Sequence, residues 1–121
     1  MIGRSFAGKD AFKKITGETK FAGDFHLPGM LHMKVKFADY PHARIKAIDT
    51  SQARNHPGVV TVLTARDVPV NCYGLMVPDQ PVFCDQFVRF EGDHVAAVVA
   101  ETSQQASQAV ELIKIKYQEL P

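Results

Sequence analysis

The chain has 121 residues, of which 45% are hydrophobic and 22% charged, and its formal net charge is +1. This composition is typical of an ordinary globular protein and argues against intrinsic disorder, while the length fits one domain. A near-neutral charge provides no basic excess for phosphate contacts, so nucleic acid is not expected as the main partner.

The sequence predicts a cytoplasmic location. No apolar stretch approaches the roughly 20 residues of a membrane-spanning helix, and the first ten residues lack the apolar segment of a secretory signal. Cys72 and Cys84 are the two cysteines. They are too few for a disulfide scaffold, so reduced thiols are expected.

Residues 1–20 are polar and contain Gly3, Gly8 and Gly17. They predict an extended N-terminal arm with one turn near Asp10 to Lys14, and such an arm is ordered only if another part of the protein holds it. Residues 21–121 are then expected to form a single domain.

The first strand pattern follows the turn signal Leu27-Pro-Gly. Apolar residues alternate with polar ones here, and the apolar set is Leu31, Met33, Val35 and Phe37. Period two predicts a half-buried strand whose cationic face, with His32, Lys34 and Lys36, is solvated. Ala38 to Pro41 interrupts the pattern and residues 44–48 resume it, so a hairpin or bulged ribbon is expected.

The middle of the chain predicts short elements and one long loop. Asp49 with Gln52 begins a helix that Pro57-Gly58 ends, and the β-branched residues 59–63 predict a third strand. Thr64 with Asp67 can cap a single turn. Residues 70–86 have no periodicity, and loops of this length are usually functional or packed on something else.

The last third predicts strand, helix and strand. Val95 to Ala100 is an unbroken apolar run, typical of a strand buried on both faces. Thr102 and Gln105 form a capping box, which predicts a helix from Ser103 to about Leu112. Residues 113–118 then alternate as a strand. The expected fold is α+β, a mixed sheet of about four main strands with helices packed on one face.

No catalytic, cofactor-binding or metal-binding residue is predicted from patterns in the sequence. The five histidines lack the spacing of zinc or iron ligands and are expected to be surface or hydrogen-bonded residues: His26, His32, His42, His56 and His94. Cys72 and Cys84 could pair, bind metal or act as nucleophiles, but no Cys–His signature surrounds them and inert thiols are favoured.

Two further patterns have both a functional and a structural interpretation. Glu91-Gly92-Asp93-His94 could serve acid–base chemistry, but carboxylates beside a turn glycine are more often turn residues. Four lysines could form an anion-binding face or simply a solvated strand surface: Lys34, Lys36, Lys114 and Lys116. The glycines form no phosphate-binding loop.

Several short segments, in a fixed order, resemble those of one enzyme family. They are Lys14-Ile-Thr-Gly17, Leu27-Pro-Gly-Met-Leu-His32, Pro41-His-Ala-Arg-Ile-Lys46, Pro57-Gly-Val-Val60, Val62-Leu-Thr-Ala65, Asp67-Val-Pro69, Val88-Arg-Phe90, Val95-Ala-Ala-Val98 and Tyr117 to Pro121. The chain resembles the a/b hammerhead domain of the aldehyde oxidase and xanthine dehydrogenase family, from about Asp10 to Pro121.

The resemblance implies a domain excised from a much larger molybdenum-dependent oxidoreductase. In such enzymes this domain opens the molybdopterin-binding subunit, and the catalytic and cofactor-binding residues lie in later domains, so the chain alone is expected to be inactive. The molybdopterin cofactor, 2Fe-2S clusters and FAD would belong to other domains or subunits, which would be its partners.

The excised domain could self-associate. The substrate of the full enzyme is not defined by the sequence. A stand-alone binding or interaction domain of the same fold, with no enzyme activity, is the alternative.

Overall fold

The computed structural model describes Gly3 and residues 8–121. Contacts divide the chain into two units, Met1–Met30 and Leu31–Pro121. The first unit contains helix α1 (Ala11–Ile15) and a 3-10 turn at Ala22–Asp24, and neither buries a residue. The turn predicted near Asp10 is therefore present. Residues 1, 2 and 4–7 of the predicted arm lie outside the described residues, and the boundary between residues 20 and 21 stays a prediction.

The second unit contains the remaining elements. In chain order these are β1 (His32–Phe37), β2 (Ala43–Asp49), α2 (Ser51–Arg54), β3 (Val59–Thr64), a 3-10 turn (Ala65–Asp67), β4 (Cys72–Tyr73), β5 (Gln80–Pro81), β6 (Phe87–Val88), β7 (His94–Ala100), α3 (Ser103–Glu111) and β8 (Lys114–Glu119).

The described strands form two three-stranded sheets and one two-stranded ribbon, and every pair is antiparallel. The orders are β1-β7-β3, β6-β2-β8 and β4-β5. The predicted α+β class is confirmed. The prediction of one mixed sheet differs from the structure, in which the strands are divided between separate antiparallel sheets. Strand pairing joins segments that are distant in sequence, and periodicity does not identify such partners.

The hairpin predicted between β1 and β2 is wrong. β1 pairs with β7 and β2 pairs with β8. The break from Ala38 to Pro41 carries the chain from one sheet to the other, and Ala38 itself is 3% exposed and anchored by its backbone to the turn at Asp93.

β7 is the central strand of the first sheet, as predicted. Val95, Ala96, Ala97 and Val98 have no exposed surface. Helix α3 packs its apolar stripe over one face of this strand, where Ala109 and Val110 join Val98 in the largest buried cluster. The valine-rich run therefore has neighbours on both edges and on both faces.

The cationic face of β1 is only partly solvated, unlike the prediction: Lys34 is exposed, but His32 and Lys36 are half-buried. Lys34 and Lys36 pair with Val98 and Ala96 of β7, and directly opposed residues share a face of the sheet. That face is the one that α3 covers. The side chain of Lys36 is only 19% exposed, and its Nζ lies 3.6 Å from a carboxylate oxygen of Glu111.

On the apolar face of β1, Val35 is half-buried and the other apolar side chains are exposed. Leu31, Met33 and Phe37 are 46%, 59% and 49% exposed. Alternation identifies two faces but not which of them a helix covers. Lysine stems can line a helix contact while their ammonium groups reach water, so a cationic face can be the inner one.

Candidate functional site

A tight turn between β6 and β7 holds a largely buried carboxylate. Asp93 is 8% exposed, and its Oδ2 atom accepts a hydrogen bond from the Arg89 amide at 3.0 Å. Gly92 has a φ of 92°, a backbone conformation that favours glycine at this turn. The Asp93 carboxylate therefore caps its own turn, which supports the structural interpretation of the Glu91–His94 segment.

The same turn is held from two other directions. The Ala38 amide donates to the Asp93 carbonyl oxygen at 2.8 Å, and the Gly92 amide donates to the Ala38 carbonyl oxygen at 3.0 Å. The Cys84 amide donates to the carbonyl oxygen of His94 at 2.7 Å. Backbone bonds thus position the turn relative to β1 and to the segment before β6.

The Cys84 thiol lies against this turn and is 1% exposed. Burial, with a hydrogen bond to the Asp93 carboxylate and the charge of that carboxylate, raises the pKa of Cys84 to about 12. The thiol therefore stays protonated at neutral pH. A protonated thiol is a poor nucleophile and a poor metal ligand, which agrees with the prediction of an inert cysteine. Cys72 is exposed on β4, and both thiols are free.

A cavity of about 500 Å³ lies between the turn and the β4–β5 ribbon. Its lining residues are Tyr73, Asp79, Gln80, Pro81, Arg89, Phe90, Gly92, Asp93 and His94. Arg89 connects the two walls, because its Nη1 atom donates to the carbonyl oxygen of Asp79 at 3.3 Å. Aromatic rings, one guanidinium and one imidazole converge here, an arrangement suited to binding a small molecule.

The ribbon beside the cavity comes from the long loop in which no regular element is predicted. Asn71 ties its two ends together: Nδ2 donates to the Phe83 carbonyl oxygen at 2.8 Å, and Oδ1 accepts from the Phe83 amide at 3.0 Å. Phe83 is 7% exposed and belongs to the interior. These side-chain bonds add to a backbone bond, in which the Val82 amide donates to the Asn71 carbonyl oxygen at 2.9 Å. Periodicity gives no signal for such a side-chain contact.

The tip of the ribbon is the most exposed apolar segment that the structure describes. Leu75, Met76 and Val77 are 103%, 92% and 65% exposed. Contiguous apolar surface of this kind marks contact sites more often than single exposed residues do.

The histidines are dispersed. His26, His42 and His56 each have Nδ1 within 3.2 Å of a backbone carbonyl oxygen, and the His94 ring lies 5.4 Å from that of Phe37. His32 lies on β1. Among the described residues there is no group of three or more His, Cys, Asp or Glu side chains that could hold a metal ion. That the chain holds no catalytic, cofactor-binding or metal-binding residue stays a prediction.

The four lysines do not form one surface. Lys34 and Lys36 lie on β1 of one sheet, whereas Lys114 and Lys116 lie on β8 of the other. A different set of cations lines a second cleft of about 370 Å³, beside β2. Lys46, Arg54 and Arg66 lie there together with Asp67, whose hydrogen bonds from Thr64 hold its pKa below the usual range.

No helix in residues 8–121 is long and apolar enough to cross a membrane.

Known proteins match almost the whole chain. A probable xanthine dehydrogenase subunit of Bacillus subtilis (strain 168) is 47% identical over 112 residues, which are 92% of this chain and 15% of that protein. The nicotinate dehydrogenase large molybdopterin subunit of Eubacterium barkeri is 37% identical, covering 99% of this chain and 28% of that protein. The chain thus spans less than a third of the length of either relative.

Solved structures agree with this. The CO dehydrogenase of Oligotropha carboxidovorans superimposes with a TM-score of 0.89 and 36% identity, covering 98% of this chain and 15% of that chain. The family model described as "Aldehyde oxidase and xanthine dehydrogenase, a/b hammerhead domain" matches residues 16–121. The family resemblance and the hammerhead fold predicted from sequence are confirmed: the chain belongs to the aldehyde oxidase and xanthine dehydrogenase family, as its a/b hammerhead domain.

Proposed function

We propose that this chain is the non-catalytic scaffold domain of the large subunit of a molybdenum hydroxylase, an oxidoreductase that hydroxylates a heterocycle or an aldehyde. One observation carries the proposal: the hammerhead match extends over residues 16–121, while the chain spans only 15% of the Bacillus subtilis relative. A part that small, in proteins named as dehydrogenases, is best explained as one domain of a large enzyme.

The donor set of the chain supports a scaffolding role. Residues 8–121 contain no group of three potential metal ligands, and the buried thiol is protonated. These residues do not fit a metal or iron–sulfur centre, which needs thiolates, neutral imidazoles or carboxylates that converge. We therefore assign the 2Fe-2S clusters to other domains or subunits of the proposed enzyme, and we propose the same place for the molybdopterin cofactor and FAD.

Two exposed apolar surfaces are the proposed contacts with those partners. One is the ribbon tip, Leu75 to Val77, and the other is the open face of β1 with Leu31 and Met33. The same surfaces would allow the isolated domain to self-associate. Two free cysteines fit a reducing compartment, so we place the enzyme in the cytoplasm.

The gene that encodes the chain provides the first test. An open reading frame that continues for several hundred codons with cofactor-binding segments supports the enzyme. A frame confined to this domain contradicts it and favours a stand-alone binding domain.

The contact proposal is tested in the complete enzyme. Met76→Asp places a charge on the ribbon tip and should lower the yield of assembled, molybdenum-loaded enzyme, because a desolvated carboxylate at an apolar contact is costly. Gln108→Asp, on the exposed side of α3, is the matched control and should leave assembly unchanged. Equal assembly of the two variants would remove the ribbon tip from the interface.

A further inference from the structure

The proposed scaffolding role assigns no function to the cavity between the β4–β5 ribbon and the turn before β7. Its volume, about 500 Å³, lies within the range of small-molecule sites. One wall is fixed, because backbone hydrogen bonds hold Gly92 and Asp93 to Ala38 and hold His94 to Cys84. The other wall is the ribbon that Asn71 closes. The site is therefore shaped before any ligand arrives.

Two aromatic side chains line this cavity and remain largely uncovered. Tyr73 is 52% exposed and Phe90 is 59% exposed, and they belong to opposite walls. Pro81 adds an apolar surface on the ribbon side. A flat ring that enters between Tyr73 and Phe90 would bury aromatic surface on both, which is favourable in offset or edge-to-face contacts.

Arg89 supplies the polar anchor. Its guanidinium has five N–H donors, and within the described part of the chain it makes one hydrogen bond, to the Asp79 carbonyl oxygen, and no ion pair. Asp93 does not neutralise it by a salt bridge, because the Asp93 carboxylate accepts from the Arg89 backbone amide and faces the Cys84 thiol. An unpaired guanidinium beside aromatic rings matches the planar, two-oxygen geometry of a carboxylate.

We propose that this cavity binds a small planar aromatic carboxylate, with the ring between Tyr73 and Phe90 and the carboxylate on the free guanidinium donors of Arg89. His94 lies at the same cavity and can donate a further hydrogen bond. The carboxylate of Asp79 also lines the cavity and would favour an aromatic cation instead. The test therefore compares an anionic with a cationic aromatic ligand.

The test is a titration of the ¹⁵N-labelled chain, followed by amide chemical shifts. The probes are benzoate, benzamidine, which has the ring but the opposite charge, and cyclohexanecarboxylate, which has the charge without a flat ring. Benzoate should shift the amides of Arg89, Gly92 and His94 saturably, and cyclohexanecarboxylate should bind several times more weakly. The proposal fails if benzoate shifts do not saturate or if benzamidine binds as tightly.

Variants assign the contacts. Arg89→Gln should weaken benzoate binding at least about tenfold, because a hydrogen-bonded charge pair is lost. Arg66→Gln, in the cleft beside β2, is the matched control and should bind like the parent. If Arg89→Gln perturbs the whole spectrum, Tyr73→Leu provides the decision, since it removes one aromatic wall at an exposed position. Unchanged affinity in Tyr73→Leu, or in a folded Arg89→Gln, would overturn the site.

Discussion

At the scale of single residues, the environment of each polar group decides its chemistry. Cys72 and Cys84 have the same side chain, but one is exposed on the ribbon and the other is 1% exposed beside a carboxylate. Sequence reasoning treats the two alike. It also has no means of finding the Asn71 clamp, because this contact joins residues 12 positions apart without a repeating pattern.

The two thiols should differ sharply in reactivity. Iodoacetamide at pH 8 should alkylate Cys72 and leave Cys84 unmodified, because a pKa of about 12 leaves almost no Cys84 thiolate at that pH. Mass spectrometry of the intact chain should show one added group under native conditions and two in denaturant. Rapid double modification of the folded chain would mean that Cys84 is neither buried nor protonated as described.

At the scale of elements, local signals predict more than long-range ones. The capping box of α3 forms as expected. The backbone amide of Gln105 donates to Thr102 Oγ1 at 3.2 Å, and the backbone amide of Thr102 donates to Gln105 Oε1 at 3.0 Å. The strands predicted at β1, β7 and β8 are also present. The partner of each strand, and the face of β1 that α3 covers, could not be predicted, because both depend on contacts across the whole unit.

The α3 cap gives a direct stability prediction. Thr102→Ala should destabilise the fold by about 1 kcal/mol, since orphan amides at the helix start lose their acceptor. Thr102→Ser keeps the hydroxyl and should lie within about 0.5 kcal/mol of the parent. Urea unfolding monitored by circular dichroism measures both. Equal loss in the two variants would show that the threonine methyl group, rather than the cap, is what matters.

The central position of β7 predicts a much larger effect. Val98→Asp should prevent folding, because a carboxylate without a partner in the core costs several kcal/mol. Val60→Asp, on β3 where the side chain is 56% exposed, is the matched control and should cost less than about 1 kcal/mol. Thermal melts that place the two variants within a few degrees of each other would exclude Val98 from the core.

At the scale of the whole molecule, the unit of residues 31–121 combines a buried central strand, β7, with an exposed apolar tip of the β4–β5 ribbon. Stability is expected to be unequal between them, because the ribbon tip has few buried contacts. Amides of residues 74–77 should exchange with solvent far faster than those of residues 95–100, with residues 82–84 intermediate because their amides are hydrogen-bonded. Hydrogen exchange on the dilute monomer measures this. Equal protection at the tip and in β7 would mean that the tip is packed within its own domain.

The family and the fold class could be predicted from the order of short segments and from the periods of the strongest elements. The ribbon could not be predicted, because a two-residue strand such as Cys72–Tyr73 is too short for a period to appear. The division into two sheets could not be predicted, because it depends on pairing between segments distant in sequence. The cavity could not be predicted either, because Tyr73 and Arg89 lie close together only when both walls are folded. A scaffold role is consistent with a sequence in which the clear patterns, namely strand periods, an apolar run and a helix cap, all predict structure and none predicts catalysis.

The metal content of the chain, purified from a host that makes the molybdopterin cofactor, is the most direct test of whether this domain is a non-catalytic scaffold. We predict no bound molybdenum by elemental analysis and no turnover of an aldehyde or a purine with a dye as electron acceptor. Molybdenum bound in a one-to-one ratio, or turnover with either substrate, would contradict a non-catalytic scaffold domain.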